Sequence, residues 1–576
     1  MNRIAPTSRA GAAYPRKRAV TACQVCRVRR TKCDRKSPRC SFCEKANVEC
    51  VLEPAAWSAF DPASLAILER LDAVDKKLDT VQHTISNPEV LATAAAGNQT
   101  VNRAASQAAA IEDLTHLLPE NLDVILRWPV FRDAPCPIPL GTRLSSTPSP
   151  LVTALQPPIL GDELDPSATQ GYLDAFFTHV HTKNPVLDEP YIRRLVRRVS
   201  IDGPGWDSES CLALLVCANG AIIRPFSAAS LSGEELATSI GRTLFAAAQK
   251  RMGAVVDCAG VVQAQCLFFA GVYLMTALRP FDAWRSFLQG LAVCQSFIFM
   301  DPRHGAANSS NTGECGTPAE EGIYWSCWKS ERELRGELGL PDFGSGPSLD
   351  PPQRFPSLPL TDDEQMLRAW YFYLSEISLW RLQTEAMKDI IACHSQAQNG
   401  APSSEHLLDL SIELSVSYHQ QLAAWQNSLP SIVSIAEPSP TDDTDVLKFV
   451  LRGRTTYVRE LITWSFLVHA LHRRELSPAA RGLVAQGIEA HLDRLRINGP
   501  GFYHRHHGTW LMIKTSARSA CILVAAARTA AVRELLPPGW EEAVDATIDM
   551  LHFWRMEVEG LEDVGSFLRY LKAELG

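Results

Sequence analysis

The sequence predicts a small cysteine-clamped head and a large all-α body, joined by a helix of coiled-coil character and a flexible linker. Three observations predict it. Six of the sixteen cysteines fall between positions 23 and 50. The chain of 576 residues is 46% hydrophobic and 21% charged, enough apolar material for one or more large cores and against wholesale disorder. Beyond Asp165, apolar residues recur at spacings of three and four, while alternating runs and Asn-Gly turns are nearly absent.

Composition narrows the classes further. No apolar run reaches the ~18 residues of a membrane span. The nearest, Val261 to Leu278, carries Gln263 and Gln265 and reads as a buried helix. The N-terminus lacks the apolar core of a signal peptide, so an intracellular chain without membrane partners is expected, and its cysteines need a role other than disulfides. Net charge is −8, but unevenly spread: residues 1–50 hold thirteen Lys or Arg against Asp34, Glu44 and Glu49. A basic head on an acidic body is the asymmetry of a chain in which one segment meets a polyanion, although a solvated basic tail has the same composition.

The cysteines decide between these. Cys23, Cys26 and Cys33 follow the spacing Cys-x2-Cys-x6-Cys, and Cys40, Cys43 and Cys50 repeat it. Cys-x2-Cys presents two thiolates to one zinc, and two four-coordinate zinc ions need eight ligand places. Six thiolates fill those places when two of them bridge, so a cluster of two zinc ions is expected. Its thiolates carry two charges more than its metals, which leaves the head near +8. With so few apolar residues between Cys23 and Cys50, metal must supply most of the folding energy there.

At this point the chain resembles the fungal binuclear zinc-cluster (Zn2Cys6) transcription factors. The stretch Cys23-Gln-Val-Cys26-Arg-Val-Arg-Arg-Thr-Lys-Cys33-Asp34 matches the first half of the family pattern, and Ser37-Pro38-Arg39-Cys40-Ser-Phe-Cys43 the second. The resemblance implies that Cys23 and Cys40 bridge the metals and that a short helix reads a CGG-type triplet of double-stranded DNA, mainly through Arg29 and Arg30. Arginine pairs bidentately with guanine O6 and N7. The family more often has lysine at position 30, which changes donor geometry. Arg27, Lys32, Arg35 and Lys36 suit phosphate contacts better. Pro15-Arg16-Lys17-Arg18, in a basic tail over 1–18, is compatible with nuclear import.

After a zinc domain over 19–53, residues 60–87 read as one helix, with Asp61-Pro62 as its start and Asn87-Pro88 as its stop. Ile67, Leu71, Val74, Leu78, Val81 and Ile85 form an apolar stripe at heptad spacing. Family resemblance implies dimerisation through it. Leucine at a with β-branched residues at d disfavours a parallel dimer, and an amphipathic helix packed on its own body has the same pattern. Residues 88–164, alanine-rich and then proline-rich, read as a largely disordered linker. An exception is Leu122 to Phe131, which is apolar enough to dock onto something.

Residues 165–576 read as the all-α domain. Helical spacing covers 209–224, 234–252, 260–279, 283–299, 364–395, 404–427, 446–475, 479–495, 510–533 and 539–557. This body resembles the fungal transcription-factor middle homology region, on Leu126 to Phe131, Phe177 to Pro185, Gly205-Trp-Asp207, Tyr324 to Lys329 and Arg505 to Trp510, which implies a regulatory role toward coregulators or the transcription machinery. No Gly-x-Gly-x-x-Gly, Gly-x-Ser-x-Gly, Gly-x4-Gly-Lys-Ser/Thr or His-Glu-x-x-His occurs, so no enzyme is expected. His504, His506 and His507, and the pair His179 and His181, read as structural histidines, and Trp284, Trp325, Trp328 and Trp380 as core or cavity lining. Trp554 to Tyr570, acidic and apolar, reads as an activation segment or as a packed amphipathic helix. The function expected is a nuclear, zinc-dependent regulator of RNA polymerase II genes, an activator by family usage, serving one metabolic pathway such as a secondary-metabolite gene cluster. A DNA-binding chromatin or cofactor scaffold of low sequence selectivity is the alternative.

Overall fold

The computed structural model describes residues 23, 25–26, 29, 31–34, 36, 38–50, 117–134, 162–223, 234–257, 260–297, 299, 317–340, 355–359, 361–398, 404–435, 445–473 and 476–575. The chain divides into two units, Met1–Ala109 and Ala110–Gly576. The basic tail 1–18 and the heptad stripe at Ile67, Leu71, Val74, Leu78, Val81 and Ile85 lie outside the described residues.

In chain order the α-helices are α1 (Ser41–Lys45) in the first unit, then α2 (Leu122–Ile125), α3 (Pro166–His179), α4 (Glu189–Asp202), α5 (Ser208–Ile222), α6 (Glu234–Gln249), α7 (Met252–Val256), α8 (Val261–Thr276), α9 (Pro280–Cys294) and α10 (Pro318–Glu337). They continue as α11 (Glu364–Gln398), α12 (Ser404–Ser428), α13 (Val446–Arg473), α14 (Arg481–Asn498), α15 (Thr509–Arg528), α16 (Trp540–Trp554) and α17 (Leu561–Ala573). No strand occurs among the described residues. The helices start where side chains satisfy the first free amides. Asp165, Asp188 and Asp207 accept from Ser167, Tyr191 and Ser210 N–H, and Thr317 forms a capping box with Glu320.

Composition sorts the helices by depth. Every residue of α5 from Ser210 to Ile222 is buried, as is all of α8 from Ala264 to Thr276, which is where a helix apolar on all sides belongs. α5 approaches α3 so closely that a Cβ on Gly220 would lie 1.9 Å from the Tyr172 carbonyl oxygen, so that position excludes any side chain. Helix α15 is long and apolar enough to cross a membrane by length and composition, yet 89% of its apolar window is buried within the body. Its apolarity is that of a central core helix. Helices α16 and α17 bury Trp554, Leu561, Val564, Phe567 and Leu568, so the described part of the acidic stretch 554–570 is a packed amphipathic pair.

The expected linker over 88–164 is interrupted by a folded segment, 117–134, and the body therefore begins well before 165. Asn121 caps α2, Trp128 donates its indole N–H to Glu120 (2.8 Å), and Phe131 meets Phe567 edge-on at 5.5 Å. Leu122, Ile125, Leu126, Trp128 and Phe131 are all buried. Burying five large apolar side chains, at roughly 1.5–3 kcal/mol each, fixes this segment on the body.

A buried ionic hub ties four helices together. Glu460 of α13 accepts from Arg494 of α14 (2.8 Å) and from Arg518 of α15 (3.1 Å), and Arg518 also reaches Glu337 of α10 (3.0 Å). Burial alone would raise the Glu460 carboxyl, but the Arg494 and Arg518 guanidiniums outweigh it and hold it below the ordinary range. Glu460→Gln leaves two guanidiniums facing a neutral amide in a dry core. The expected loss is about 3–5 kcal/mol in urea unfolding followed by helix circular dichroism; a loss under about 1 kcal/mol would show the hub to be dispensable.

Buried histidines set a pH dependence. Desolvation pushes His181 and His491 down to about 4, and His506 and His507 well below the ordinary 6.5. The unfolded chain protonates these rings near pH 6.5 while the folded chain does not, so their contribution to stability is complete above pH 6.5 and is lost as pH falls toward 4. His181 and His491 alone imply uptake of nearly two protons on unfolding around pH 5.5, a slope of roughly 2–3 kcal/mol per pH unit. Helix melting at pH 7 and pH 5.5 checks this, and an unchanged midpoint would contradict it.

Candidate metal centre and nucleic-acid interface

The head has almost no apolar residues to fold around. The sulfurs of Cys23, Cys26, Cys40 and Cys43 form its centre, all four buried, with Val25, Cys33, Phe42, Val48 and Cys50 packed around them. Each half presents its first two cysteines from a tight helical turn. In the first, Arg29 N–H donates to Val25 O and Thr31 N–H to Cys26 O, both at 3.0 Å. In the second, Cys40 is the N-cap of α1, and Cys43 N–H donates to its sulfur at 3.5 Å.

Two details close the second half. Asn47 has φ 48°, and Val48 N–H returns to Cys43 O (3.1 Å) while Asn47 N–H returns to Glu44 O (3.2 Å). This left-handed helix stop favours Gly or Asn. It reverses the chain so that Cys50 Sγ accepts from Cys40 N–H at 3.4 Å. The second detail is Asp34, whose carboxylate accepts from Ser41 N–H (2.9 Å) and Ser41 Oγ, joining the end of the first half to the start of the second. These hydrogen bonds hold the Asp34 carboxyl below the usual range.

The sulfur geometry fits a tetrahedral thiophilic metal. Cys23 and Cys40 sulfurs are 3.8 Å apart, Cys23 and Cys43 3.7 Å, and Cys26 and Cys40 3.7 Å, with all four within 4.8 Å of one another. A zinc bound to sulfur at ~2.3 Å has tetrahedral edges of about 3.8 Å. The thiols are also prepared for a cation. The Cys43 amide pulls Cys40 down to about 6, while desolvation raises Cys23, Cys26 and Cys43. A divalent ion among them offsets that desolvation by taking the thiolate charge.

Of the six cysteines expected as ligands, four are thus gathered in one group, with Cys33 and Cys50 half-buried on its flanks. Of the expected DNA contacts, Arg29, Lys32 and Lys36 are exposed, and Arg27, Arg30 and Arg35 lie outside the described residues. Sequence reasoning missed the Asp34 latch and the Asn47 stop. A carboxylate directly after the third cysteine, and an Asn four residues past the fifth, were the available signals. No histidine joins a metal-binding group among the described residues. Cys211, Cys217, Cys266, Cys294, Cys327 and Cys521 are buried in the body as small core side chains.

Residues 21–56 match the fungal Zn(2)-Cys(6) binuclear cluster domain. The head is a zinc-cluster domain. A protein of Aspergillus rugulosus described as "Putative transcription factor ecdB" is 26% identical over 280 residues, which is 46% of this chain and 45% of that relative. The chain therefore spans less than half the length of the curated relative it matches.

Proposed function

We propose that the chain is a nuclear, zinc-dependent transcription factor that reads CGG-type half-sites in double-stranded DNA and activates RNA polymerase II genes of one pathway, such as a secondary-metabolite cluster. The observation that carries this reading is the quartet of buried sulfurs at tetrahedral spacing with Arg29, Lys32 and Lys36 exposed around it. A knob folded on metal leaves its basic side chains free for phosphate and base edges. The matched zinc-cluster domain and the relative described as a transcription factor support the same class.

Two zinc ions per chain belong to this reading. Cys40 Sγ lies 3.8 Å from Cys23 Sγ and 3.7 Å from Cys26 Sγ, while its own N–H donates to Cys50 Sγ, which is the central position a bridging thiolate needs. Two four-sulfur sets that share Cys23 and Cys40 are what a binuclear cluster requires. The heptad stripe from Ile67 to Ile85 would pair two heads and so double the half-site, and the helical body would pass control to coregulators.

Metal analysis of purified protein should find about two zinc ions per chain, lost in Cys23→Ala or Cys43→Ala; one ion per chain would contradict the binuclear reading. Binding-site selection from random oligonucleotides should enrich a CGG-containing motif. Arg30→Ala should abolish that preference, whereas Lys36→Ala should weaken all binding and lower its salt slope by about one. Equal loss on specific and random DNA in both variants would favour a DNA-binding scaffold instead.

A further inference from the structure

The stretch Gly205-Trp206-Asp207 lies on the loop between α4 and α5, and that loop is held from beneath. Arg251, buried just before α7, donates through Nε to Gly205 O (2.5 Å) and through Nη2 to Pro204 O (2.8 Å). Its Nη1 donates to Ala247 O of α6 (2.8 Å). Gly205 N–H donates to Ser210 Oγ (3.0 Å), and the Asp207 carboxylate accepts from Ser210 N–H (2.7 Å). Gly203 has φ 78°, and a Cβ on Gly205 would lie 2.3 Å from Asp207 Oδ2, so glycines set the turn. Yet the tryptophan on this fixed loop is 70% exposed, with one ring face over the Arg251 guanidinium (4.9 Å). An indole so exposed contributes little to the core.

The same surface continues along α4. That helix turns Ile192, Leu195, Val196 and Val199 inward, and its outward side carries Tyr191, Arg194, Arg197, Arg198 and Ile201. Ile201 is 66% exposed. Arg198 pairs with Glu209 (2.5 Å), which also accepts from Tyr191 Oη (2.6 Å). The first turn of α5, directly after Trp206, is thereby tied to the outward side of α4. Arg193 is taken by Glu189 (2.7 Å) and Asp174 (2.9 Å). Among the described residues, no ion pair engages Arg194 or Arg197. Glu189, Asp207 and Glu209 are engaged locally, and Asp202, at the end of the helix, balances only one of the two arginines.

We propose that Arg194, Arg197, Ile201 and Trp206 dock a short acidic peptide of a protein partner. Its carboxylates meet the two arginines, and a bulky apolar side chain packs on Ile201 and Trp206. Arg194 and Ile201 are two helical turns apart, about 10 Å, so a partner segment of roughly ten residues covers the face. Charge selects the occupant, and the apolar pair refines the choice. A duplex would answer the arginines with phosphates, but its backbone offers nothing apolar to Ile201 and Trp206. A rigidly presented aromatic beside arginine is the composition of a protein interface anchor. The proposal gives the coregulator reading of the body a surface and rests on that reading, not on the DNA-reading head.

Selection from a phage library of random dodecapeptides on the full-length, zinc-loaded chain tests it, with and without counter-selection against Trp206→Ala. The counter-selected peptides should carry an excess of Asp and Glu around Leu, Phe or Trp. A fluorescein-labelled consensus peptide, followed by anisotropy, should bind at least tenfold more weakly to Trp206→Ala and to the double variant Arg194→Glu, Arg197→Glu. Its binding should also weaken as salt rises. The substituted side chains are exposed, so melting temperature and DNA selection by the head should stay close to wild type. Peptides enriched only without counter-selection, with binding that survives these substitutions, would overturn this face while leaving the coregulator reading standing. No enrichment at all would overturn both. Displacement of the peptide by random duplex DNA, lost in the double variant, would assign the face to nucleic acid instead. A changed sedimentation coefficient in Trp206→Ala without peptide would assign it to a second copy of the chain.

Discussion

The head depends on one interaction, thiolate with metal. Between Cys23 and Cys50 the larger apolar side chains are Val25, Val28, Phe42 and Val48, and these cannot bury enough surface to fix 28 residues against their conformational entropy. The sulfurs take the place of a core. Everything else in the head serves to bring them together: two helical turns that each set a Cys-x2-Cys pair, a carboxylate that latches the halves, and an Asn that turns the chain back. Because metal rather than apolar packing fills the centre, the basic side chains need not contribute to packing. Arg29, Lys32 and Lys36 stay exposed to solvent.

The body solves the opposite problem. It has apolar surface in abundance, and its difficulty is the charge caught inside. Glu460 shows the ordinary solution, in which a buried carboxylate is surrounded by guanidiniums from two further helices and its charged form prevails over desolvation. Such a hub contributes little net stability over an apolar replacement, but removing one partner is costly. It therefore ties α10, α13, α14 and α15 to one arrangement. The buried histidines follow the other route and stay neutral, which makes mild acid, rather than salt, the condition that strains the body.

Much of this was legible in the sequence, for identifiable reasons. Metal ligation leaves a rigid spacing, so Cys23 to Cys50 could be read residue by residue. Helical period marked α5, α8, α11, α13, α14 and α15 to within a few positions, because each is long and carries apolar residues on several faces. Helices α3, α4 and α10 escaped the periodic reading, although the Asp-Pro step at 165–166 and the Thr-Pro step at 317–318 are good start signals. The docked segment at 117–134 was legible as apolar, and its Leu126 to Phe131 through the resemblance of the body, but its partners on α13, α15 and α17 were not, since they lie more than three hundred residues away. Asp34 was invisible as a latch because its partner, Ser41, is an ordinary surface residue type.

The two units differ in how their cations are answered. In the head, Arg29, Lys32, Lys36, Arg39 and Lys45 are exposed, where a polyanion supplied from outside can neutralise them. In the body, almost every buried cation meets a carboxylate on a neighbouring helix, as Lys329, Arg454, Arg494 and Arg518 do. Each of these cations meets a carboxylate carried by another helix, so the pairing cannot arise from the helical period of any one element, which is why no spacing in the sequence announces it.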